Sequence, residues 1–334
     1  MDAWTIKRTA DWMTGDLAQR GVEGARLDAE LILAAALDVR RVDLYLDFQR
    51  PLQPDELDVV RALFKRRRAR EPMAYLLGYR DFYRERFTVT PDVLIPRPDS
   101  EVLVDQALKA LEGRAEARHV DVCTGSGCVG LSIAKARADD GKRTTLTLTD
   151  LSPAALAVAR VNGEALGVEA TLLEGDLFDV LDDACADVLT INPPYIAETD
   201  FATLMPDVRD YEPKIALVGG SGGDDVLQRI AADASRVLTP EGVLFVEVGV
   251  GQAPAFAALL TSSGFHGVRA HTDLGGIERV IEARMSPVQE DAAESHVVLD
   301  EVDEVMEAPT NTHVEEEPFE PGPLSAGDAD DVAS

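Results

Sequence analysis

Helix and strand patterns alternate from residue 100 to residue 283, and this alternation constrains the fold more than any other feature of the chain. Apolar runs suited to buried strands are separated by stretches in which apolar residues recur at helical spacing. Such alternation predicts a doubly wound α/β sheet. The predicted strands lie near residues 118–123, 144–149, 169–173, 186–191, 242–248, 265–270 and 277–283.

The first 80 residues are instead predicted to form a helical bundle, because their apolar residues recur at helical spacing. In residues 25–37 the predicted inward face consists of Leu27, Leu31, Ala34 and Ala35. In residues 55–70 it consists of Leu57, Val60, Leu63 and Phe64. Residues 82–94 alternate between apolar and polar side chains, which predicts a β-hairpin between the bundle and the sheet.

A glycine-rich loop, Asp121-Val122-Cys123-Thr124-Gly125-Ser126-Gly127-Cys128-Val129-Gly130, follows the first predicted strand of the sheet. Its glycines permit a tight turn and the close approach of a ligand to the backbone. The helix that starts there directs free N–H groups toward that ligand. The next strand ends in Asp150, about 25 residues after Gly125, an offset typical of an acid that binds ribose hydroxyls. The sequence therefore predicts a bound nucleoside.

Charge helps to decide which nucleoside binds. Residues 125–130 match the Gly-x-Gly-x-x-Gly spacing, so the loop alone leaves NAD open. Asp121, at the start of the loop, suits a cationic ligand and repels a pyrophosphate, unless it only caps the loop. No Gly-Lys-Ser/Thr follows, which disfavours ATP. S-adenosylmethionine carries a sulfonium and an ammonium group and no phosphate, so it is the favoured ligand.

A second motif, Asn192-Pro193-Pro194-Tyr195, follows the apolar run at residues 186–191. Ligands of open α/β sheets bind beyond the carboxyl ends of such strands. The motif offers an amide side chain, two carbonyls on rigid prolines and an aromatic face, which together accept hydrogen bonds from a planar NH2 group and stack on it. The alternative is an ordinary turn, since Asn-Pro and Pro-Pro are common in loops. With the glycine-rich loop upstream, the motif favours an enzyme that alkylates an amino or amide nitrogen.

The net charge of −29 limits the possible partners. Fifteen acidic residues and no Lys or Arg follow Arg284, which predicts an acidic, disordered tail. The remainder is also acidic, so direct DNA binding is not expected. The one dense basic run, at residues 65–70, is predicted to be a solvated helix face, with contact to an acidic partner as the alternative.

The cysteines and the N-terminus indicate the compartment. The chain has three cysteines, without Cys-x-x-Cys spacing, and five scattered histidines. Free thiols and no metal site are therefore expected. The first residues have no signal-peptide pattern, and no apolar run is long enough to span a bilayer. We therefore expect a cytoplasmic enzyme without a membrane association.

Several segments together resemble the HemK/PrmC family, which methylates the glutamine of the Gly-Gly-Gln motif in peptide chain release factors. The likeness covers about residues 15–284. It rests on residues 26–33, on residues 71–78 with Phe82 and Tyr83, on Leu94-Ile95-Pro96-Arg97-Pro98-Asp99-Ser100-Glu101, and on Asn192-Pro193-Pro194-Tyr195. The last motif alone is shared with adenine-N6 DNA methyltransferases and a ribosomal-protein methylase. The resemblance implies a class I S-adenosylmethionine-dependent methyltransferase fold, which is Rossmann-like and has seven strands, the last antiparallel.

The resemblance also implies roles for single residues. Cys123, Thr124, Gly125, Ser126 and Gly127 would form the cofactor loop. Asp150 would bind the ribose hydroxyls, Leu177 would pack near the adenine, and Asp176 would reach the adenine amino group. Asn192 would touch cofactor and substrate, and Pro193, Pro194 and Tyr195 would complete the glutamine pocket. The family usually has glycine at position 123, so the Cys123 side chain narrows the space beside the methionine moiety and is strained if its φ is positive.

The predicted organisation is a helical substrate-recognition domain at residues 1–80, a hairpin linker at 81–95, a methyltransferase domain at 96–285 and the acidic tail at 286–334. We expect a monomer that transfers a methyl group in line from S-adenosyl-L-methionine to the N5 amide nitrogen of the release-factor glutamine. Three alternatives stay open: a glutamine methyltransferase for a ribosomal protein, an adenine-N6 nucleic-acid methyltransferase, and a cofactor-binding scaffold without catalysis.

Overall fold

The structure, a computed structural model, describes residues 3–285, so the predicted acidic tail lies outside the described residues. It begins with a bundle of helices that packs around Met13, Leu17, Ile32, Leu33 and Phe64. No helix among the described residues is both long and apolar enough to cross a membrane. The helices of the bundle are α1 (Ile6–Gln19), α2 (Ala25–Leu37), a 3-10 helix (Arg41–Leu46), α3 (Pro54–Arg68) and α4 (Met73–Leu77).

The predicted inward face of α2 is correct at Ala34, which is buried, and wrong at Leu27 and Ala35, which are exposed. Leu27 is 45% exposed, whereas Ile32 is fully buried. Two carboxylates also lie inside: Asp28 accepts a hydrogen bond from a guanidinium of α3, and Glu30 accepts one from the Tyr45 hydroxyl at 2.6 Å. The pattern of apolar residues predicts that these two positions face solvent. Their carboxylates are nevertheless buried, which is tolerated because each is paired with a hydrogen-bond donor. In α3, two residues of the predicted inward face, Val60 and Phe64, are buried.

A two-stranded hairpin follows the bundle. Gly78, with φ of 77°, ends α4, and β1 (Tyr79–Phe82) then pairs antiparallel with β2 (Glu85–Thr88). The hairpin begins and ends earlier than the predicted residues 82–94, because the turn falls at Tyr83, whose φ is 56°.

The main sheet has seven strands in the order β5-β4-β3-β6-β7-β9-β8. The first five of these strands are mutually parallel, and β9 runs antiparallel to both of its neighbours. This confirms the doubly wound, seven-stranded sheet with an antiparallel last strand. The strands are β3 (Glu116–Val122), β4 (Arg143–Asp150), β5 (Ala170–Glu174), β6 (Ala186–Ile191), β7 (Leu238–Glu247), β8 (His266–Thr272) and β9 (Glu278–Arg284).

Helices cover both faces of this sheet because successive strand residues point to opposite sides. Val188 of β6 packs in one apolar cluster with helices α5, α6 and α7, whereas Leu189 packs in another with α9 and α10. Strand β7 begins four residues before the predicted position, and a register shift opposite Ala186 and Val188 accommodates the extra residues. The helices are α5 (Glu101–Ala110), α6 (Cys128–Asp139), α7 (Pro153–Leu166), α8 (Pro206–Arg209), α9 (Asp225–Val237) and α10 (Ala253–Ser262).

The basic run at the end of α3 is a solvated face only in part: Lys65, Arg66 and Arg68 are exposed, whereas Arg67 is buried. Arg67, with a side chain only 7% exposed, contacts Asp28 and Asp207 at 2.7 Å each. Arg70 contacts the other oxygen of Asp207. Arg66 and Arg68 bind Glu71 and Asp16, respectively. Arg67 and Arg70 therefore join the bundle to the segment around α8, while the rest of the run faces solvent.

We predict that Asp207→Ala destabilises the protein by about 3 kcal/mol, because it leaves the guanidiniums of Arg67 and Arg70 without this partner. The matched control is Asp58→Ala. It removes an ion pair with Arg61 in which both side chains are mostly exposed, so its expected effect is below about 1 kcal/mol. Denaturant unfolding measures both free energies. Equal effects would contradict a structural role for the Asp207 network.

Candidate active site

A cavity of about 260 Å³ lies at the carboxyl edge of the sheet, close to the lower bound of roughly 300 Å³ for small-molecule sites. It opens where the strand order reverses between β3 and β6, the usual ligand position in doubly wound sheets. Among the described residues, Gly127, Pro193 and Tyr195 lie next to its lining and not in it. The sequence-predicted site residues in the lining are Asp121, Cys123, Thr124, Gly125, Ser126, Asp150, Asp176, Leu177, Asn192 and Pro194.

The two glycines of the loop have different physical requirements. Both have positive φ, 55° for Gly125 and 80° for Gly127. A Cβ on Gly127 would lie 2.8 Å from Leu131 Cδ1 and 3.3 Å from Ala159 Cβ, so this glycine lets the loop pack against α6 and α7. At Gly125 the space for a Cβ is open. Gly125 therefore leaves the backbone accessible from the cavity, and Gly127 fixes the loop from behind.

Asp121 anchors the loop and also lines the cavity. Its carboxylate, 2% exposed, accepts hydrogen bonds from the Thr124 hydroxyl (2.5 Å), the Gly130 amide (3.3 Å) and the Thr190 hydroxyl (2.6 Å). Burial raises its pKa to about 6, although these hydrogen bonds oppose the shift. Gly130 permits this approach, since a Cβ there would lie 3.0 Å from the Asp121 Cβ. Asp121 therefore caps the loop and also lines the cavity, and its role toward a cationic ligand stays a prediction.

Asp150 ends β4 at the opposite side of the loop. Its Oδ2 accepts the Gly125 amide at 2.8 Å, and its Oδ1 accepts the Ser152 amide at 2.9 Å. Burial raises its pKa, while the backbone amides lower it. Each oxygen has a further lone pair, so the carboxylate is able to accept hydrogen bonds from two hydroxyls. Asp176 lies farther along the wall and forms an ion pair with Arg229 at 2.9 Å.

Asn192 follows directly after β6, where its side chain is held by a hydroxyl. Its Nδ2 donates to Ser100 Oγ at 3.1 Å. With the amide in this orientation, which the hydrogen-bond network assigns, Oδ1 accepts no hydrogen bond from the described residues. The next residues are fixed by backbone contacts: a Cβ on Gly219 would lie 2.4 Å from the Pro194 carbonyl oxygen. Asn192 thus contributes an available amide oxygen to the cavity wall.

Tyr195 is fixed at both ends. Its carbonyl accepts a hydrogen bond from Gln252 Nε2 at 3.2 Å, and its hydroxyl lies 3.4 Å from Glu247 Oε1. Burial raises the pKa of its phenol, and the Glu247 carboxyl adds to the shift. The structure therefore brings the loop at residues 192–195 next to the glycine-rich loop, with Asn192 and Pro194 in the shared wall.

Two family models match: the PrmC N-terminal domain over residues 10–78 and the methyltransferase small domain over residues 99–206. The release factor glutamine methyltransferase of Geobacter sulfurreducens is 42% identical over 284 residues, which are 85% of this chain and 98% of that protein. The namesake enzyme of Bordetella pertussis is 42% identical over 256 residues, 76% of this chain and 93% of that protein.

The chain belongs to the family of release factor glutamine methyltransferases. The predicted HemK/PrmC membership is thereby confirmed, as is the class I S-adenosylmethionine-dependent methyltransferase fold. A third member, from Rhodopirellula baltica, is 35% identical over 286 residues, 83% of this chain and 95% of that protein. The chain is a methyltransferase, and its methyl donor is S-adenosyl-L-methionine.

The cavity residues fit this donor. Carboxylates of Asp121, Asp150 and Asp176 line the wall together with the guanidiniums of Arg97 and Arg229. A wall with this many carboxylates favours a ligand carrying a sulfonium and an ammonium group over a pyrophosphate. Asp150 would hold the two ribose hydroxyls, and the open space at Gly125 would admit the ligand against the backbone.

Two lining residues other than glycine have left-handed backbones, Cys123 with φ of 56° and Leu177 with φ of 50°. The strain anticipated for Cys123 is therefore present. Strained residues of this kind concentrate at functional sites, where the surrounding fold holds them in place. Burial also raises the pKa of the Cys123 thiol, so it is neutral at physiological pH.

Some functional neighbours were missed from the sequence. Ser100 lies inside the 94–101 motif, but its bond to Asn192 joins residues 92 positions apart and leaves no local signal. Gln252 and Arg229 lie in ordinary helical contexts. Glu212 is buried, and its carboxylate accepts hydrogen bonds from the Ile95 amide and the Arg97 guanidinium. Ile95 lies 117 residues earlier in the chain. These contacts arise from the crossover of distant segments, which a single sequence does not report.

We predict that Cys123→Gly is more stable than Cys123→Ala by about 1 kcal/mol, because only glycine relieves the left-handed strain. Both variants remove the thiol, so the difference isolates the backbone effect. At an ordinary helical position alanine is favoured over glycine, so the sign is diagnostic. Thermal or denaturant unfolding measures the difference, and a more stable alanine variant would refute the strain.

We also predict that Gly219→Ala lowers the methyl-transfer rate by about 10²-fold, the scale of a 1 Å misplacement. The new Cβ would collide with the carbonyl oxygens of Pro194 and Gly223 and displace the loop at residues 192–195. Cofactor affinity, measured by calorimetry, should change little. Gly15→Ala is the control, because its Cβ meets no atom within 4 Å in the middle of α1. A full rate in Gly219→Ala would show that the loop tolerates displacement.

Proposed function

We propose that this enzyme methylates the N5 amide nitrogen of the glutamine in the Gly-Gly-Gln motif of peptide chain release factors. The observation that carries the proposal is the orientation of Asn192. Its NH2 group is engaged by Ser100, so its oxygen is the acceptor available beside the cofactor loop. An acceptor there selects a substrate with N–H groups, such as a primary amide.

A second acceptor comes from the proline pair. The Pro194 carbonyl faces Gly219, where it is enclosed by backbone. The Pro193 carbonyl is therefore the candidate for the other N–H of the substrate amide, although Pro193 is buried and adjoins the cavity lining without belonging to it. Two acceptors in fixed positions would hold both hydrogens and hence define the plane of the carboxamide. The nitrogen lone pair would then point along the transfer axis.

Alignment matters because an amide nitrogen is a weak nucleophile. Its lone pair is delocalised into the carbonyl, as the peptide rotation barrier of about 18–20 kcal/mol shows. Holding reactants in line is worth about 7–11 kcal/mol in well-oriented systems. Acceptors at both N–H groups also enrich electron density on nitrogen. The described residues thus favour transfer mainly by orientation.

When bound, S-adenosyl-L-methionine supplies an electrophilic methyl group on a positively charged sulfur. Asn192 and Pro193 would hold the substrate amide so that its nitrogen could take up this methyl group, with the electron pair of the S–C bond left on sulfur. The alkylated nitrogen would be acidic and would lose its proton to solvent. No charged base at the nitrogen is required, which agrees with the neutral acceptors Asn192 and Pro193. We infer direct transfer without a covalent enzyme intermediate.

The names of the relatives support the choice of substrate, since the members from Geobacter sulfurreducens and Bordetella pertussis are release factor glutamine methyltransferases. A release factor acts where translation ends, so we place the enzyme in the cytoplasm. The net charge of −29 and the paired arginines of residues 66–70 disfavour nucleic acid as the substrate. We propose that the monomer acts alone.

The test is methyl transfer from labelled cofactor to a release factor, a ribosomal protein and DNA, assayed side by side. Label is expected on the release factor at the Gly-Gly-Gln glutamine, located by mass spectrometry, and is expected to vanish when that glutamine is replaced by alanine. Asn192→Ala should lower the rate by at least about 10²-fold, because it loses an orienting acceptor. Thr199→Ala, exposed on the same loop, is the control and should match the wild type.

Label on DNA alone, or on the ribosomal protein alone, would overturn the proposed substrate. A wild-type rate in Asn192→Ala would overturn the role of the amide oxygen while leaving the substrate in place.

A further inference from the structure

A buried carboxyl group lies next to the catalytic loop without a role in the mechanism above. Glu247 is the last residue of β7 and is 2% exposed. Its Oε1 lies 3.4 Å from the Tyr195 hydroxyl, longer than an optimal O–H···O bond. Its Oε2 has no hydrogen-bond partner among the described residues. A buried carboxyl with unused acceptor capacity is expensive for a fold, so it calls for a functional explanation.

The second observation is the hydroxyl that lies between this carboxyl and Asn192. Ser100, 2% exposed, accepts a hydrogen bond from Asn192 Nδ2 at 3.1 Å. Because its oxygen accepts there, its own proton is free to be donated elsewhere. The Ser100 hydroxyl is also close enough to Glu247 to lower the pKa of that carboxyl. Asn192 is joined to Ser100 by this hydrogen bond, and Ser100 adjoins Glu247 without a hydrogen bond between the two among the described residues. The three side chains therefore define a row from the cavity wall to the buried carboxyl group.

The direction of donation along this row decides which way the Asn192 amide faces. A carboxylate only accepts hydrogen bonds, so an ionised Glu247 draws the Ser100 proton and the Tyr195 proton toward itself. The Ser100 oxygen then accepts a hydrogen bond from Asn192, and the donor of that bond is the Asn192 NH2 group. The Asn192 oxygen is left as the acceptor for the substrate. Were the Ser100 hydroxyl to donate to Asn192 instead, the amide would turn and offer its NH2 group to the substrate.

We propose that Glu247 is a positioning residue that, as a carboxylate, orients Asn192 through Ser100 and Tyr195 through its hydroxyl. The inference rests on the proposed amide methylation, since it explains why the Asn192 oxygen faces the substrate.

The charged and titratable neighbours of Glu247 come from four elements. They are Tyr195 after β6, Cys128 at the start of α6, Arg279 in β9, and Asp99 in the 3-10 turn before α5. Burial is the largest influence and raises the pKa of Glu247 to about 7, with Ser100 and Arg279 opposing it and Asp99 reinforcing it. Burial raises the pKa of Cys128 to about 12 and that of Tyr195 still further, so neither titrates near neutrality.

The sign of the pH dependence follows. Above about pH 7 Glu247 is a carboxylate and the row is directed as described; below it the protonated group donates and the orientation is lost. The rate kcat/KM should therefore fall as pH drops through about 7. Asp121, whose pKa burial raises to about 6, produces a separate and lower step. Removing Glu247 as a titrating group should leave only that lower step.

The experiment compares wild type and Glu247→Gln with release factor as substrate between pH 5.5 and pH 8.5, a range of about three units around the expected transition. Glu247→Gln keeps the shape of the side chain but is able to donate as well as accept. We expect kcat to fall by about 10²-fold at pH 8, with cofactor affinity retained. The apparent pKa of the acid limb of the pH–rate profile should move from about 7, the pKa of Glu247, toward about 6, the pKa of Asp121.

Stability supplies a readout that separates positioning from a structural role. The pKa of Glu247 is about 7 in the folded state and 4.5 in the unfolded state. The buried carboxylate therefore lowers the free energy of unfolding, and this destabilisation is fully present at pH values above about 7. The neutral Glu247→Gln variant should have a higher Tm than the wild type at pH 8, and the advantage should shrink as pH falls. A group kept only for structure would give a lower Tm on replacement.

Ser100 offers an independent test. Ser100→Ala removes the intermediate hydroxyl and should lower kcat to the same degree as Glu247→Gln, whereas Ser100→Thr retains a hydroxyl and should restore most of it. In the double variant Ser100→Ala/Glu247→Gln the losses should not add, because both act through the same row. This comparison remains informative if one of the variants folds poorly.

Wild-type kcat and an unmoved acid limb in Glu247→Gln would overturn the inference, as would a Ser100→Thr variant no better than Ser100→Ala. Failure of the wild type to methylate release factor would instead overturn the proposed function, so the two failures are distinguishable.

Discussion

The site depends on one buried carboxylate, that of Asp121. It receives hydrogen bonds from the glycine-rich loop, from the first turn of α6 and from Thr190 in the neighbouring strand β6. His119 extends the network, with Nε2 at 2.8 Å from the Thr190 hydroxyl. Since Thr190 donates to Asp121, the imidazole is the donor in this contact, and burial lowers its pKa to about 3, so the ring is neutral. This network fixes the spacing between the cofactor loop and the strand from which Asn192 emerges.

The bundle contributes to the same geometry from the other side. Asp207 and the Tyr211 hydroxyl contact the end of α3, and Glu212 fixes the segment that contains Ile95 and Arg97. Directly after this point, the residues that line the cavity are Pro213, Ile215, Ala216 and Val218. The N-terminal helices therefore belong to the scaffold of the site, whatever part they take in recognising the substrate.

Several departures from ordinary structural preference occur at this edge of the sheet. Cys123 and Leu177 have left-handed backbones, and Asp121 and Glu247 are carboxyls whose pKa burial raises toward neutrality. Each lowers the stability of the fold in isolation. Their coincidence around one cavity is typical of a catalytic site, where surrounding packing maintains arrangements that would otherwise relax.

Much of this architecture follows from local sequence. All seven strands of the main sheet lie where the apolar runs predict, because alternating helix and strand patterns are read over short windows. The glycine-rich loop and Asn192-Pro193-Pro194-Tyr195 were placed beyond strand ends for the same reason, and their convergence follows from parallel strands in one sheet. The boundaries proposed for the domains remain predictions.

What the sequence by itself determined is therefore the order of elements, the family and the residue types that meet at the cavity. Only the tertiary structure decided the buried face of α2, the pairing of Arg67 with Asp28 and Asp207, and the row from Asn192 to Glu247. The reason is physical: periodicity reports burial of apolar groups near one another in the chain. A buried charge is tolerated only when a partner, often a hundred residues away, arrives in three dimensions.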